Sequence, residues 1–257
     1  MPDIHQTAII ANLKKISDSV TIGPYSIIED DVLIGENVWI DSHVSIKSGA
    51  HIGPGCKIYH GAAIAGPPQD LKYAGEKTEL VVGANCIIRE YVTLNRGTAA
   101  HGKSEIGNNC LFMAYSHVAH DCIIGSDVII ANCVEMGGHV EIGDYTIIGG
   151  GTVIHQFCKI GEHVMVGGGF RITQDIIPFS LDAGYPLRCL GLNTIGLKRR
   201  GFSADVILKL KKAFHFLLSK KLKTSEALKK IEEEIEMISE VKRVVDFIRS
   251  SERGVIK

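Results

Sequence analysis

A period of six residues constrains this chain more than any other feature. Every sixth position from Ile10 onward is a large apolar residue: Ile10, Ile16, Ile22, Ile28, Ile34, Ile40, Ile46, Ile52, Ile58 and Ile64, then Val82, Ile88 and Leu94. The same phase continues through Ile106, Phe112, Val118, Ile124, Ile130, Met136, Ile142, Ile148, Ile154, Ile160, Val166 and Ile172. Only Asp70, Glu76 and Ala100 break it. Neither the 3.6-residue helix nor plain strand alternation produces such a repeat, so a solenoid has to be considered before any local element.

The rest of the hexad agrees. Two residues before each apolar slot stands a small or slim residue, such as Val20, Ser26, Ala50, Cys56, Ala62, Cys110, Cys122 or Val128. Just after the slot glycine is frequent: Gly23, Gly35, Gly53, Gly83, Gly107, Gly125, Gly143 and Gly161. Short strands that bury one large and one small side chain, joined by tight corners, account for both preferences. Three hexads make a triangular coil of eighteen residues, and each strand pairs with its counterpart in the next coil. The expected fold is an all-β solenoid over residues 1–186, followed by a C-terminal α-helical domain over residues 187–257. Excursions from the coil are expected near 66–78 and 98–104, where the pattern lapses.

Within the tail, Ser203 is placed as the N-cap of a helix that reaches Leu218. A second helix is expected from about Thr224 and a third from about Glu240 to Ser250. Residues 187–257 hold 17 Lys and Arg against 9 Asp and Glu, a net of +8 that the remainder offsets at −9. Such a basic unit attracts an anionic partner. No apolar run approaches the length of a membrane span. The first ten residues lack the basic-then-apolar pattern of a signal peptide. Seven Cys without a C-x-x-C pair fit reduced thiols, and a cytoplasmic location is expected.

Polar residues gather in one part of the repeat. On an eighteen-residue coil His120, Gly138 and Gln156 fall in one column, about 4.8 Å apart per rung. Asp121 and His139 share the next column. His117 and His155 lie close by. Gly149-Gly150-Gly151 stacks under Gly167-Gly168-Gly169, which leaves either a bare groove or merely tight corners.

Five stretches together resemble the acyl-ACP–UDP-N-acetylglucosamine O-acyltransferase family. They are Gln69-Asp70-Leu71-Lys72-Tyr73-Ala74-Gly75-Glu76, His117-Val118-Ala119-His120-Asp121-Cys122, Gly138-His139-Val140, His155-Gln156-Phe157-Cys158 and Gly196-Leu197-Lys198-Arg199-Arg200-Gly201-Phe202. The resemblance covers essentially the whole chain. It implies a left-handed parallel β-helix, a homotrimer with each active site between two solenoids, and no cofactor, metal, nucleic acid or membrane span. The implied reaction moves a 3-hydroxyacyl group from acyl carrier protein to the glucosamine 3-hydroxyl of UDP-N-acetylglucosamine. His120 is then the general base, Asp121 orients it, and the Gly138 N–H is the oxyanion donor. Gln69, Lys72, His117, His139, His155 and Gln156 are implied to position sugar and acyl donor. Asp70 and Asn193 match the family's nucleotide-sugar contacts, and Arg199 and Arg200 match its diphosphate contacts. Gly168 stands where the family sets acyl-chain length, and a bare residue there points to a longer chain. Asn95, Tyr185-Pro186, Ile195, Phe170 and Arg171 depart from the family pattern.

Other readings differ in what they require. The N-acyltransferase of the following acylation step shares the base, and usually adds an N-terminal domain that is not expected here, since hexads begin by Ile10. A zinc enzyme like the γ-class carbonic anhydrases would take His117, His120 and His139 as ligands. A non-catalytic hexapeptide scaffold would not bind UDP-N-acetylglucosamine.

Overall fold

The computed structural model describes residues 2–257. Short strands, mostly of two to four residues, stack into three sheets of eleven, nine and seven strands, parallel except for the last strand of the largest. These are the three faces of a triangular prism. Their register is the eighteen-residue coil: His117 pairs with Glu135, Glu135 with Val153, and Val153 with Arg171. Every apolar hexad slot from Ile16 to Ile64, from Val82 to Leu94 and from Ile106 to Ile172 is buried. One large aliphatic per strand therefore fills the prism axis, which is why the chain needs so few aromatics.

The small slot does more than leave room. Cys56, Cys110 and Cys122 turn their thiols onto the carbonyls of Gly83, Gly125 and Gly137 at 3.1, 3.1 and 3.3 Å. The Thr146 hydroxyl donates to the Gly161 carbonyl in the same way, at 2.7 Å. A corner carbonyl turned toward the core thus gains a donor that the strand ladders cannot supply. Each corner also holds one residue in the left-handed region, among them Asn109, Asp127, Tyr145 and His163 at one corner and Asp121, His139 and Phe157 at another, with φ between 56° and 65°. That conformation strains a side chain with a Cβ. The ladder repays it in part, since the N–H of each such residue bonds to the coil below, as His139 does to the His120 carbonyl at 3.0 Å.

The two excursions are insertions of whole hexads. Ala63 pairs with Thr93 and Thr93 with His117, separations of thirty and twenty-four residues instead of eighteen. The extra residues are two hexads and one hexad. Phase is preserved across them, and the three irregular slots Asp70, Glu76 and Ala100 are the slots of the inserted hexads. The first loop spans residues 67–78, between strands Ala63–Gly66 and Glu79–Val82. The second begins at Thr98 and rejoins the sheet at strand Lys103–Ile106.

Past the last coil, strand Ser180–Ala183 still adds to the eleven-stranded sheet and turns back as the antiparallel strand Arg188–Leu192. Helices follow: α1 Thr194–Arg199, α2 Ala204–Leu217, α3 Thr224–Glu234 and α4 Ser239–Ser250. The sequence pattern anticipates the last three, and Ser203 caps α2 through the Val206 N–H at 3.2 Å. Their apolar faces enclose a second core with Ile177, Phe179 and Leu197. The chain end then returns to the solenoid. Val255 bridges Asp175 and Ile256 is buried among the axial aliphatics, closing the last coil.

Two buried acids lie in this closing region, Asp175 and Asp182. Asp182 is fully buried, its Oδ1 has no partner among the described residues, and the Ser180 hydroxyl donates to Oδ2. Burial pushes its pKa up to about 7 from 3.8. The folded chain therefore holds a proton there that the unfolded chain releases, and stability from this residue falls as pH rises between about 4 and 7. Asp182→Asn is expected to be neutral in effect at pH 4 and to raise stability on the order of a few kcal/mol by pH 8. Melting curves of both proteins across that range check this; a constant difference with pH would contradict it.

Candidate active site

The corner between the nine- and seven-stranded faces carries the polar cluster. His120 and Gly138 occupy successive rungs of one column there, and Asp121, His139 and Phe157 occupy the next. Asp121 is the centre of it. Its side chain is 0% exposed, against 14% for His120. Oδ1 accepts the Thr98 N–H at 2.9 Å. Oδ2 accepts the Thr98 hydroxyl at 2.7 Å and faces His120 Nδ1 at 2.8 Å. His139 Nε2 lies 3.6 Å from the same oxygen. Burial works to raise the carboxyl's pKa, but the bonds from Thr98 and His120 outweigh it and hold the group below the usual range.

An ionised acceptor at Nδ1 decides the tautomer. In a neutral His120 ring that acceptor takes the Nδ1–H, which leaves the lone pair on Nε2. That nitrogen lies over Gly138: a Cβ added to Gly138 would sit 2.5 Å from His120 Cε1 and 2.7 Å from Nε2. Glycine at 138 is therefore what lets the ring lie flat against the next rung. Among the described residues the Gly138 N–H has no acceptor, while its carbonyl accepts the Phe157 N–H at 3.1 Å. The His120 imidazole and a backbone N–H without an acceptor among the described residues thus lie side by side.

Around them, His139 stacks on Phe157 at 4.5 Å and meets the His120 ring edge-on at 5.2 Å. Burial lowers its pKa, so neutral imidazole is favoured. His117, on the nine-stranded face, has its Nδ1 2.6 Å from the Thr93 hydroxyl, and burial lowers its pKa too. His155 faces the Gln156 carbonyl at 2.9 Å and Arg253 of the chain end at 3.3 Å, while Gln156 is exposed. His101 from the second loop comes within 5.3 Å of His139. A cleft of about 390 Å³ runs from His101, Asp121 and His139 to Arg253.

The loop 67–78 carries Gln69 and Lys72 exposed and Asp70 half-buried. It is tied down by residues that sequence reasoning missed. Arg96 reaches the Tyr73 hydroxyl at 2.8 Å and the Ser48 carbonyl at 3.0 Å. Asn95, noted only as a departure from the family pattern, donates to the Gly66 and Pro67 carbonyls at 3.2 and 3.0 Å. Thr98 was likewise unmarked, its spacing from Asp121 being set by an insertion.

Other expected site residues lie elsewhere on the chain. Arg199, Arg200 and Asn193 line a separate hollow of about 570 Å³ with Ile147, Met165 and Ile195, against the eleven-stranded face. Asn193 is itself occupied as the N-cap of α1, accepting the Gly196 N–H at 3.1 Å and donating to the His163 carbonyl at 3.0 Å. Arg200 donates to the Tyr145 carbonyl at 2.6 Å. Gly168 stands at the corner between the eleven- and nine-stranded faces. A Cβ there would lie 2.8 Å from the Gly150 carbonyl oxygen, so any side chain must displace backbone. Phe170 leans on Gly167 and the axial core. The trio expected for zinc does not assemble: the group with ligand atoms within 4.8 Å of one another is His120, Asp121 and His139, and His117 is engaged with Thr93.

Comparison with known proteins agrees with this geometry. The bacterial transferase hexapeptide model matches residues 31–66 and 103–138, and the second domain of UDP-N-acetylglucosamine O-acyltransferase matches 175–256. The chain is 44% identical over 258 residues to the acyl-[acyl-carrier-protein]–UDP-N-acetylglucosamine O-acyltransferase of Thermodesulfovibrio yellowstonii, covering 100% of both. It is 42% identical to the enzyme so named from Thiobacillus denitrificans, again with 100% coverage of both. Among solved structures, the UDP-N-acetylglucosamine acyltransferase of Bacteroides fragilis superposes with a TM-score of 0.96 at 43% identity, over 98% of this chain and 99% of that one. The fold is accordingly the left-handed parallel β-helix with a helical C-terminus. Whole-length identity at this level, joined to the hexapeptide coil and its histidine corner, makes the chain a member of the acyl-[acyl-carrier-protein]–UDP-N-acetylglucosamine O-acyltransferase family.

Proposed function

We propose that His120 is the general base of the acyl transfer that defines this family, the first step of lipid A synthesis. The observation that carries the assignment is the buried, ionised Asp121 holding His120 Nδ1–H, with Nε2 left facing the bare Gly138. A sugar hydroxyl is a weak nucleophile, and neutral imidazole removes its proton as the oxygen attacks. The 3-hydroxyl of UDP-N-acetylglucosamine adds to the thioester carbonyl of a 3-hydroxyacyl carrier protein, and its proton passes to Nε2. The oxyanion is met by the Gly138 N–H. Collapse breaks the C–S bond, and the imidazolium returns the proton to the leaving sulfur. No acyl-enzyme is needed. Asp121 stabilises the transient imidazolium without itself taking the proton.

Two copies are required to complete the site in this reading. The histidine corner and the Arg199–Arg200 hollow occupy different faces of one chain, so a nucleotide sugar touches both only if a second solenoid supplies one of them. This supports a homotrimer with sites between neighbours. Gln69, Asp70, Lys72, His117, His139, His155 and Gln156 then hold sugar and acyl donor, and Arg199 and Arg200 hold the diphosphate. The acyl chain would run toward the glycine corner at Gly168. Residues 187–257 act as a basic unit that draws in the acidic carrier protein in the cytoplasm.

The test is turnover of a 3-hydroxyacyl carrier protein with UDP-N-acetylglucosamine and, separately, its 3-amino analogue, with products read by mass. His120→Ala is expected to lose at least about a hundredfold in kcat, with assembly and melting temperature close to the parent. Retention of more than about a tenth of the parent rate would remove His120 from the role. Gly138→Ala should be nearly as damaging, because the new methyl forces the His120 ring out of its place. A loss in kcat with little change in KM is the expected pattern, and an unchanged kcat would contradict the packing.

A further inference from the structure

We propose that Thr98 is a positioning residue for the reaction, acting through Asp121. The inference rests on His120 as the base. Thr98 is 8% exposed and opens the second inserted loop. Its hydroxyl has one proton, and the geometry directs it. The Ala100 N–H donates to Oγ1 at 3.2 Å, so the remaining hydroxyl bond runs outward to Asp121 Oδ2 at 2.7 Å. The Thr98 N–H takes the other carboxylate oxygen at 2.9 Å. The Thr98 carbonyl is held in turn by the Gly102 N–H at 2.7 Å. Ser104, at the end of the same loop, accepts the Asp121 N–H at 2.8 Å. The inserted hexad therefore clamps the carboxylate from side chain and backbone at once, and holds Oδ2 where it accepts His120 Nδ1–H.

The clamp is also joined to the first loop. Glu76 accepts the Ala99 N–H at 3.3 Å through Oε1 and the Ala74 N–H at 2.8 Å through Oε2. Ala99 is the residue next to Thr98, so the loop bearing Gln69, Asp70 and Lys72 and the loop that orients the base are one hydrogen-bonded unit.

The charged and titratable groups around this carboxylate and imidazole are His117 on the nine-stranded face, His139 one coil on with His101 and Asp70 beside it, the Cys122 thiol next in the chain, and, along the same cleft, Glu141, Lys159, Asp175, Glu252 and Arg253. None of these supplies a hydroxyl donor to Asp121. Removing the Thr98 hydroxyl leaves the carboxylate with less of its charge satisfied, which makes it a stronger acceptor for His120 and favours the imidazolium. The base should then require a higher pH to be active, and a looser carboxylate should hold the ring less well.

The experiment is the pH dependence of kcat/KM for Thr98→Val, Thr98→Ala and Thr98→Ser, with KM for UDP-N-acetylglucosamine measured alongside. Val and Ala remove the donor, and Ser keeps it. The expected result is a loss of about tenfold to a hundredfold in kcat for Val and Ala, an acidic limb displaced to higher pH, and an unchanged KM for the sugar nucleotide. Thr98→Ser should keep the parent limb and most of the rate. An acidic limb that stays in place in Val and Ala, or that moves as far in Ser, overturns the inference while leaving the base assignment standing. Absence of any acidic limb in the parent enzyme overturns both.

Discussion

Parallel pairing of each coil with the next, in strict eighteen-residue register, is the constraint on which everything else here depends. Once it holds, a residue's neighbours are set by its column. The large slot must be aliphatic because it faces the axis, and the small slot must be small because the corner folds over it. The corner residue must tolerate the left-handed region, as Asp121, His139 and Phe157 do near φ 60°. A shift of one residue would turn the axial aliphatics outward on every later strand. The hexad is therefore under more pressure than an ordinary strand, and the chain spends its irregularities only where they keep the phase.

That economy explains how a solenoid acquires chemistry. Both loops enter and leave as whole hexads, so the coil above is undisturbed. What they add stands over one corner. The second loop brings Thr98 and Ser104 to Asp121, and the first brings Glu76 to the second. A carboxylate buried without such donors has its charge poorly satisfied, and its pull on the His120 Nδ1–H is no longer moderated by the loops. The rigid stack supplies the 2.8 Å geometry between His120 and Asp121, and the loops supply the electrostatics that make it useful.

Much of this was legible in the residues alone, because the repeat converts sequence spacing into spatial distance. The prism, the buried slots, the two excursions and the pairing of Asp121 with His139 follow from counting by six and eighteen. The helices from Ser203 onward follow from their apolar stripes and cap. Contacts set by insertions or by the closing segment did not follow. Thr98 meets Asp121 across a loop of irregular spacing, and Asn95 donates its amide to the first loop. Asn193, matched to the family's nucleotide-sugar contacts, also caps α1, which its sequence neighbours do not reveal. The hairpin of Ser180–Ala183 with Arg188–Leu192 and the short α1 carry too few residues for a period to emerge. The return of Val255 and Ile256 to seal the last coil depends on the fold of the helices between.

The central claim is that Asp121 keeps the His120 proton on Nδ1 and leaves Nε2 as the base. Nitrogen NMR of protein labelled at the histidine rings, at a pH where imidazole is neutral, reads the protonated nitrogen directly once His120 is assigned with a His120→Gln control. The account predicts a protonated Nδ1 and a bare Nε2 for His120, with that preference weakened in Asp121→Asn. A parent spectrum in which His120 carries its proton on Nε2 would contradict it.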